Sequence, residues 1–428
     1  MPAQQPTSGV YEPDSRYAWR RLVASLAIST VGGIGLWSAV IVLPRIQGEF
    51  GVDRGGASLA YTATMIGFAV GGVLTGRLAD RFGIVVPIRL AALMLGLGYL
   101  VAAAAQSYWQ FLAAQALFIG MLGSSATFGA LIADISHWFV RRRGLAVAIV
   151  ASGNYLAGTI WPPLVQYVTD SFDWRTAYAG IGVVCLATLL PLSLALRRRP
   201  PIAGHDDPLG APGAGPGAGV GAGVRAGVGA PIAMPGSPAL RQTLLVIAGL
   251  ACCVAMSMPQ VHLVAYSGDL GYGPARGAEM LSLMLGLGVV SRIASGLIAD
   301  RIGGVNTLIL GSALQCLALL FYLPFDGLTS LYIVSALFGL AQGGIVPSYA
   351  LIVRDYFPAR EAGARVGLVF MATVFGMALG GWLSGEIYDL TGSYQAAFLN
   401  GIVWNLLNMA IALWFVLGRL QHRARLAQ

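Results

Sequence analysis

Long apolar segments alternate with short polar ones along almost the whole chain of 428 residues. Each apolar segment covers roughly 20 residues or more, the length that an α-helix needs to cross about 30 Å of hydrocarbon. The pattern therefore predicts twelve membrane-spanning helices. The predicted spans are 19–43, 57–79, 84–105, 109–133, 143–168, 176–196, 241–267, 277–300, 305–325, 329–353, 362–388 and 396–418.

The spans form two sets of six with related sequences. The segment "GRLADRFG" at 76–83 returns as "GLIADRIG" at 296–303, an offset of 220 residues. Asp170 and Asp389, which end spans five and eleven, are 219 residues apart. A repeat with six spans per copy predicts an all-α membrane protein whose two six-helix bundles are related by a pseudo-two-fold axis along the membrane normal.

The remaining segments are predicted to lie on one side of the membrane. The bundles extend over 19–196 and 241–418, and the segment between them, 197–240, is rich in Gly, Ala and Pro. It contains almost no side chains that could build a core, so we expect a flexible cytoplasmic linker. Cytoplasmic tails at 1–18 and 419–428 complete the predicted organisation.

Composition and charge support this interpretation and set the orientation. The chain is 57% hydrophobic and 10% charged, whereas a soluble protein is about a quarter charged. With the N-terminus inside, twenty-one of the arginines fall in cytoplasmic segments, four lie outside at Arg45, Arg54, Arg175 and Arg276, and the last is Arg292. This asymmetry predicts a protein of the inner membrane with both ends cytoplasmic. The net charge of +8 therefore indicates membrane topology and no nucleic-acid partner.

The sequence shows no chemistry typical of an enzyme. Its four cysteines all fall inside apolar segments without the spacing of metal ligands, at Cys185, Cys252, Cys253 and Cys316. No nucleophile–base pair or metal-binding cluster is apparent. We expect a monomer that uses neither a cofactor nor a metal and catalyses no reaction.

The loop after span two resembles the signature loop of the major facilitator superfamily. Three further stretches are similar to the monocarboxylate transporter-like branch, which neighbours the oxalate/formate antiporters. They are "HWFVRRRGLAVAIVASGNYLAG" (137–158), "SRIASGLIAD" (291–300) and "GEIYDLTGSYQAAF" (385–398). The resemblance implies secondary active transport by alternating access, with the substrate held between the two bundles.

Charged residues in the repeated loop are candidates for gating. Asp80 and Arg81, and their counterparts Asp300 and Arg301, can form ion pairs at the cytoplasmic mouth. Such pairs would hold one state closed and break in the other. The alternative is ordinary helix capping at a loop.

Glycines in spans two and eleven predict close packing of helices. Small residues four apart allow two backbones to approach. The pairs are Gly67/Gly71, Gly72/Gly76, Gly376/Gly380 and Gly381/Gly385. Gly83 is expected to permit the tight turn that follows span two.

Arg292 lies in the middle of span eight, in "LMLGLGVVSRIASGLIADR" (283–301). About 12 Å of helix separates it from Asp300, and placing an arginine near a span's centre costs at least about 2.5–3.5 kcal/mol. Its guanidinium stays charged, so it must face a wet cavity or a fixed partner. Gly288 and Ser295 share its helix face and are small, which leaves room for a substrate carboxylate. The alternative is an ion pair with an acid on another helix.

The resemblance supports the same residue and suggests two more. Monocarboxylate transporters carry an arginine at this position as the carboxylate anchor, often with an aspartate four residues earlier for proton coupling, where this chain has Gly288. His262 is therefore the candidate for proton coupling, or else a hydrogen-bonded packing histidine. Pro44–Arg45 resembles the family's Pro–Lys pair, so Arg45 is expected to help receive the substrate unless it is a solvated interfacial charge.

Polar residues and the number of buried cations narrow the expected substrate. Asn154 and Gln342 lie near mid-membrane and can bond a hydroxy or keto group, or else another helix. Oxalate carriers use a second buried cation in span eleven, and this chain has none between Arg365 and Arg419. We expect transport of a small organic monoanion of the lactate or pyruvate type, coupled to protons. The alternatives are an oxalate/formate-type antiporter and an exporter of larger amphipathic compounds.

Overall fold

The computed structural model describes residues 13–198 and 236–426, apart from the side chains of 359, 360 and 422–426. Every regular element in these ranges is a helix, and twelve helical segments are long and apolar enough to cross a membrane. The predicted all-α fold with twelve spans is confirmed. Residues 199–235 of the predicted linker, 1–12 of the N-terminal tail and 427–428 of the C-terminal tail lie outside the described residues, whereas 419–426 continue the last helix.

Nine of the twelve spans are longer than the hydrophobic pattern predicts because their helices continue into the polar flanks, whereas spans three and nine are shorter and span six has the predicted length. Spans one to six are Arg16–Gly32 with Ile34–Phe50; Arg54–Phe82; Val85–Ala103; Tyr108–Ala113 with Ala114–Gly123, Ser124–Thr127 and Gly129–Ser136; Arg143–Ala151 with Gly153–Ser171; and Trp174–Leu194. Spans seven to twelve are Pro238–Asp269; Pro274–Ile302; Gly304–Phe321; Leu328–Gln342 with Ile345–Tyr356; Ala359–Thr391; and Tyr394–Leu426.

Spans one, four, five and ten are interrupted near their middles, which the hydrophobic pattern does not predict. Span four passes through a π-helical stretch, Ala114–Gly123, and a 3-10 turn before it resumes. Interruptions of this kind leave backbone groups that must find partners within the protein. Ser124 Oγ donates to the Gly32 carbonyl at 2.8 Å, which ties the break in span four to the break in span one.

Glycines bring helices together inside each bundle as predicted. A Cβ atom at Gly67 or Gly71 would collide with the backbone of span four. A Cβ atom at Gly376 or Gly380 would collide with the backbone of span seven. Each half of the chain thus uses a glycine pair to pack equivalent helices, and for these two pairs the prediction is confirmed.

The two bundles also contact each other through glycines, and one of these contacts joins backbone to backbone at one end. We call the face that carries the described chain ends the terminal face, and the other the opposite face. At the opposite face, a Cβ on Gly385 would lie 2.8 Å from Gly55 Cα, so spans two and eleven touch backbone to backbone. At the terminal end of span two, a Cβ on Gly76 would meet no described residue within 4 Å, so the close packing predicted at Gly76 is wrong. Gly83 adopts the expected left-handed φ of 80° in the turn.

Candidate binding site between the two bundles

A cavity of about 460 Å³ lies between the bundles. Its lining includes Trp37 and Phe128 from the first bundle and Met256 from the second. It extends toward the terminal face, since Val73 and Ala364 line it and each lies only roughly 8–14 Å of helix from that end. The cavity therefore belongs to a conformation that is closed at the opposite face and opens toward the terminal face.

Arg292 is the only charged residue among the described residues that line this cavity. Its Nη1 donates to the Ala151 carbonyl at 3.0 Å, and its Cζ lies 4.4 Å from the ring centroid of Tyr155. Ala151 ends the first helix of span five, where carbonyl groups lack intrahelical partners. The Arg292 Nε is buried and has no hydrogen-bond partner in the described part of the chain. Neutral groups therefore hold the guanidinium, and its Nε–H group has no acceptor among the described residues.

An ion pair with a protein carboxylate does not account for Arg292 in this conformation. None of the ion pairs among the described residues includes it. Asp134 is bound to Arg21, with Nη2 to Oδ1 at 2.7 Å. Glu386 lies against Gly55 at the opposite face. The charge therefore faces the cavity without a fixed counterion.

The space expected beside Gly288 is occupied, which corrects the sequence-based expectation. A Cβ on Gly288 would lie 2.7 Å from Cε1 of Tyr155, so this tyrosine ring covers the glycine. Ser295, the other small residue on that face, packs against Gly344 of span ten. Small residues do not leave a void because close packing draws side chains of neighbouring helices onto them. In this chain an aromatic ring stands where the side chain of the family's aspartate would begin.

We predict that Gly288→Asp impairs transport mainly through charge. The new carboxylate would lie one turn from Arg292, displace the Tyr155 ring and pair with the guanidinium that is the candidate anchor for an anion. Anion uptake into proteoliposomes should fall by about tenfold or more, as expected from loss of a charge-assisted interaction of about 1.4 kcal/mol.

Gly288→Asn is the matched control because it has the same shape without the charge. It should keep more activity than Gly288→Asp, and lowering the pH should restore part of the uptake only in the aspartate variant. Equal loss in both variants would show that steric displacement of Tyr155 explains the effect.

Further polar groups line the cavity or lie just behind it. Asn154 lines it with a buried Oδ1 that has no partner in the described chain. Gln342 does not line it, but its Oε1 accepts from Gln260 Nε2 at 2.5 Å, and Gln260 does. The buried hydroxyl of Tyr61 also lacks a partner in the described chain and lines the cavity. Sequence reasoning missed Gln260, whose only signal was a polar group within an apolar span.

A polar cluster closes the opposite face, and the sequence did not predict it. Asp389 accepts hydrogen bonds from the backbone N–H groups of Arg54 and Gly55, at 3.0 and 2.6 Å, and so caps the start of span two. The Arg54 guanidinium donates to Asp269 Oδ1 and to the Tyr394 hydroxyl, both at 3.0 Å. These contacts join the first bundle to the second. We call Arg54, Asp269, Asp389 and Tyr394 the opposite-face latch.

His262 lies directly behind this latch and not in the lining of the cavity. Its Nδ1 is 3.0 Å from the Tyr394 hydroxyl, and its Nε2 is 2.8 Å from the Gly381 carbonyl. On its other side, Gly381 packs against the ring of Tyr61. The imidazole is fully buried and both nitrogens have partners. This is the arrangement expected of a hydrogen-bonded packing histidine. A role in proton coupling stays a prediction.

Arg45 lies at the opposite face, away from the cavity. Its Nη2 is 3.1 Å from Asp170 Oδ1, and both side chains are exposed. The structure does not bring Arg45 to Arg292 in this conformation. A role in receiving substrate would require the state in which the opposite face is open.

The four candidate gating residues are exposed at the terminal face. Asp80, Arg81, Asp300 and Arg301 form no ion pair with any residue in the described ranges. Because the cavity opens toward this face, the gating hypothesis expects these pairs to be broken here. Their pairing in the closed state stays a prediction.

Comparisons with known proteins agree with this architecture. The family model described as Major Facilitator Superfamily matches residues 26–332 and, in a second match, 245–427. The crystal structure of a mutant of the nucleoside transporter NupG shares the fold with a TM-score of 0.70 at 14% identity, over 92% of this chain and 100% of that one. The chain belongs to the major facilitator superfamily and is a multi-pass membrane transporter, not an enzyme.

Within that superfamily the chain is monocarboxylate transporter-like. It is 30% identical over 401 residues to Monocarboxylate transporter 13 of Bos taurus. This match covers 90% of this chain and 86% of the relative. It is also 22% identical to Agnestins efflux protein AgnL12 of Paecilomyces divaricatus, over 94% of this chain and 88% of that protein. The resemblance inferred from the sequence motifs is confirmed.

Proposed function

We propose that the protein carries a small organic monoanion across the membrane by alternating access, with Arg292 as the anchor for its carboxylate. The observation that carries this proposal is one permanent cation that lines a central cavity and has no acidic partner among the described residues. A guanidinium fork binds a carboxylate bidentately. One such fork suits one carboxylate, which favours a monoanion over a dicarboxylate of the oxalate type.

A lactate- or pyruvate-type acid would place its second polar group near the centre of the cavity. Asn154 offers an unpaired amide oxygen there. Gln342 would act through Gln260, the residue that it holds and that reaches the cavity. The name of the bovine relative, a monocarboxylate transporter, supports this substrate class.

Protons are proposed to couple to transport at the opposite face. His262 contacts the Tyr394 hydroxyl, which in turn accepts from Arg54 of the latch. A proton on His262 would add a positive charge close to Arg54 and convert Nδ1 from acceptor to donor. Both changes would weaken the latch and favour opening of that face. This route would take the place of the aspartate that monocarboxylate transporters often carry at the position of Gly288.

The proposed setting is the inner membrane, with both chain ends cytoplasmic and the protein acting as a monomer. The arginine bias supports this orientation, because cationic segments are retained on the cytoplasmic side. The terminal face, toward which the cavity opens, would then be cytoplasmic. The organic anion, protons and lipid are its proposed partners.

Export of larger amphipathic compounds is the second candidate function. The cavity of about 460 Å³ is lined mostly by aromatic, methionine and other apolar side chains, among them Phe68, Phe128 and Met371. Such a lining suits a ligand with an apolar body. The efflux relative in Paecilomyces divaricatus fits this alternative. It predicts that transport does not depend on Arg292.

Flux measurements in proteoliposomes test the two functions against each other. Purified protein should take up short monocarboxylates but not oxalate, and an inwardly directed proton gradient should accelerate uptake. Inhibition of uptake by other short monocarboxylates, but not by uncharged amphipathic compounds, would support the monoanion carrier. Flux of uncharged amphipathic compounds without monocarboxylate flux would overturn it. An unchanged rate when the proton gradient is collapsed would remove proton coupling alone.

A further inference from the structure

A second cavity, of about 790 Å³, lies within the first bundle at the terminal face. It is bounded by the loop between spans two and three and by the terminal-face ends of spans one, four and six. We call it the arginine pocket, because its lining contains Arg21, Arg81, Arg89, Arg197 and Arg198. It is separate from the central cavity, with which it shares no lining residue in the described part of the chain.

One pair of charges forms the fixed part of this pocket. Arg21 is 1% exposed and binds Asp134 bidentately, with Nε to Oδ2 at 2.8 Å and Nη2 to Oδ1 at 2.7 Å. Its Nη1 also donates to the Arg198 carbonyl at 3.1 Å, so it joins spans one, four and six. Asp134 is therefore already neutralised and does not balance the other cations.

Three further cations of the lining, Arg81, Arg89 and Arg197, exceed the one further carboxylate among the described residues that line the pocket. Arg89 Nε reaches Ser193 Oγ at 3.4 Å, and neither Arg89 nor Arg197 forms an ion pair with a carboxylate in the described ranges. Arg81 is likewise without an ion pair there, and its guanidinium lies over the Phe82 ring. That carboxylate is Asp80, the single acid besides Asp134 among the described residues of the lining. Like charges so arranged favour a bound anion, and guanidinium groups suit the oxygens of a phosphate.

The surroundings indicate that the anion belongs to a lipid. Phe82 and Val86 beside the pocket are exposed, as are Leu93, Leu97 and Leu100 farther along span three. On the neighbouring span six, Val183 and Leu194 are exposed as well. A row of exposed apolar side chains within spans faces acyl chains, while the pocket lies at the depth of the headgroups. The acyl chains of a lipid whose headgroup occupied the pocket would lie against this row.

The pocket is not a necessary consequence of the repeated loop. Asp300 and Arg301 reproduce Asp80 and Arg81 in the second bundle, but Ile309 stands at the position equivalent to Arg89. The loop therefore keeps its sequence in a half where this arginine is absent. Arg89 is better explained by a ligand of the first bundle than by the loop's own structure.

We infer that the arginine pocket binds the phosphate headgroup of an anionic membrane lipid, whose acyl chains lie along spans three and six. The recognised chemistry is a phosphate that carries net negative charge. Basic pockets between spans on the cytoplasmic side bind such headgroups. A bound headgroup would contact Arg81 and so lie against the loop that carries the candidate gating residues.

Lipid titration of the purified full-length protein, followed by native mass spectrometry, tests this inference. Phosphatidylglycerol should bind tightly, and phosphatidylcholine, which has the same phosphate without net charge, weakly. The double variant Arg89→Gln/Arg197→Gln should weaken phosphatidylglycerol binding by roughly tenfold or more, given the contribution of each cation near an anionic headgroup. The charge-preserving double variant Arg89→Lys/Arg197→Lys should retain most of the affinity, which separates loss of charge from misfolding.

Arg16→Gln/Arg20→Gln is the matched control. Both residues are exposed at the same face of the same bundle, and neither lines the pocket. This control should bind phosphatidylglycerol as the unmodified protein does. Equal weakening in both glutamine double variants would overturn the site, because surface charge alone would then explain binding. Complete displacement of the lipid by millimolar inorganic phosphate would overturn its assignment to a lipid.

Discussion

Replacing Arg292 with alanine is expected to abolish uptake of organic monoanions while leaving the protein folded. The substitution removes the only charge among the described residues that line the central cavity. Loss of two charge-assisted hydrogen bonds to a carboxylate costs about 3 kcal/mol or more, which corresponds to at least a roughly hundredfold fall in uptake. The fold should tolerate the change, because an arginine near the centre of a span is itself costly to insert.

Arg292→Lys should be severely impaired although it keeps the charge. An ammonium group is a compact point charge and cannot reproduce the planar fork that binds both carboxylate oxygens. It would also lose the stacking on Tyr155 that positions the guanidinium. Initial rates of uptake in proteoliposomes, with monodisperse elution as the check on folding, measure both variants.

Arg276→Ala is the control for Arg292. Arg276 belongs to the same span but is exposed and pairs with Glu279 at the opposite face, with Nη1 to Oε2 at 2.9 Å. Its removal should leave uptake nearly unchanged. Normal uptake by Arg292→Ala would refute the anchor and favour the exporter of amphipathic compounds.

Breaking the opposite-face latch is expected to shift the protein toward the state open at that face. Arg54→Gln removes the guanidinium that donates to Asp269, and Asp389→Asn weakens the cap on the backbone of Arg54 and Gly55. Hydrogen bonds that involve charged groups contribute about 1.5–3 kcal/mol each, so the ratio of the two states should change by roughly tenfold or more. Uptake should fall because alternating access needs both states to be populated.

A backbone variant tests the same closure without altering a charge. Because a Cβ on Gly385 would lie 2.8 Å from Gly55 Cα, Gly385→Val should keep spans two and eleven apart at the opposite face. Labelling of a cysteine introduced at Val73, on the terminal side of the cavity, reports the shift. Reaction with a membrane-impermeant thiol reagent should slow in all three variants.

Arg175→Gln is the matched control for the latch. Arg175 pairs with Glu49 at the same face, with Nη2 to Oε1 at 2.5 Å, but both residues belong to the first bundle. Its removal should not change labelling at position 73. If the latch variants label as fast as the unmodified protein, these contacts do not hold the opposite face closed.

The spans, their number and their division into two halves follow from the sequence with little ambiguity. Transfer of apolar side chains from water to hydrocarbon is additive along the chain, and a helix is the form that satisfies its own backbone there. The anchor candidate follows for the same reason, because Arg292 is costly in an apolar span whatever surrounds it. These are properties of single residues and of their spacing.

The sequence pattern does not predict which residues surround Arg292. The expected space beside Gly288 is filled by Tyr155, which precedes it by more than a hundred residues in the chain. The Ala151 carbonyl is available because span five is interrupted there, and the hydrophobic pattern of that span shows no interruption. Breaks of this kind depend on partners from other helices, and a pattern of single residues does not record them.

By itself, the sequence determined a twelve-span transporter of the major facilitator superfamily with one arginine, Arg292, in the middle of span eight. Only the tertiary structure decided what surrounds that cation and which face is closed. It also decided that His262 and Arg54 meet through Tyr394, although 132 and 340 residues separate Tyr394 from them. The physical reason is that membrane insertion depends on each segment's own transfer energy, whereas gates and sites depend on contacts between segments remote in the chain.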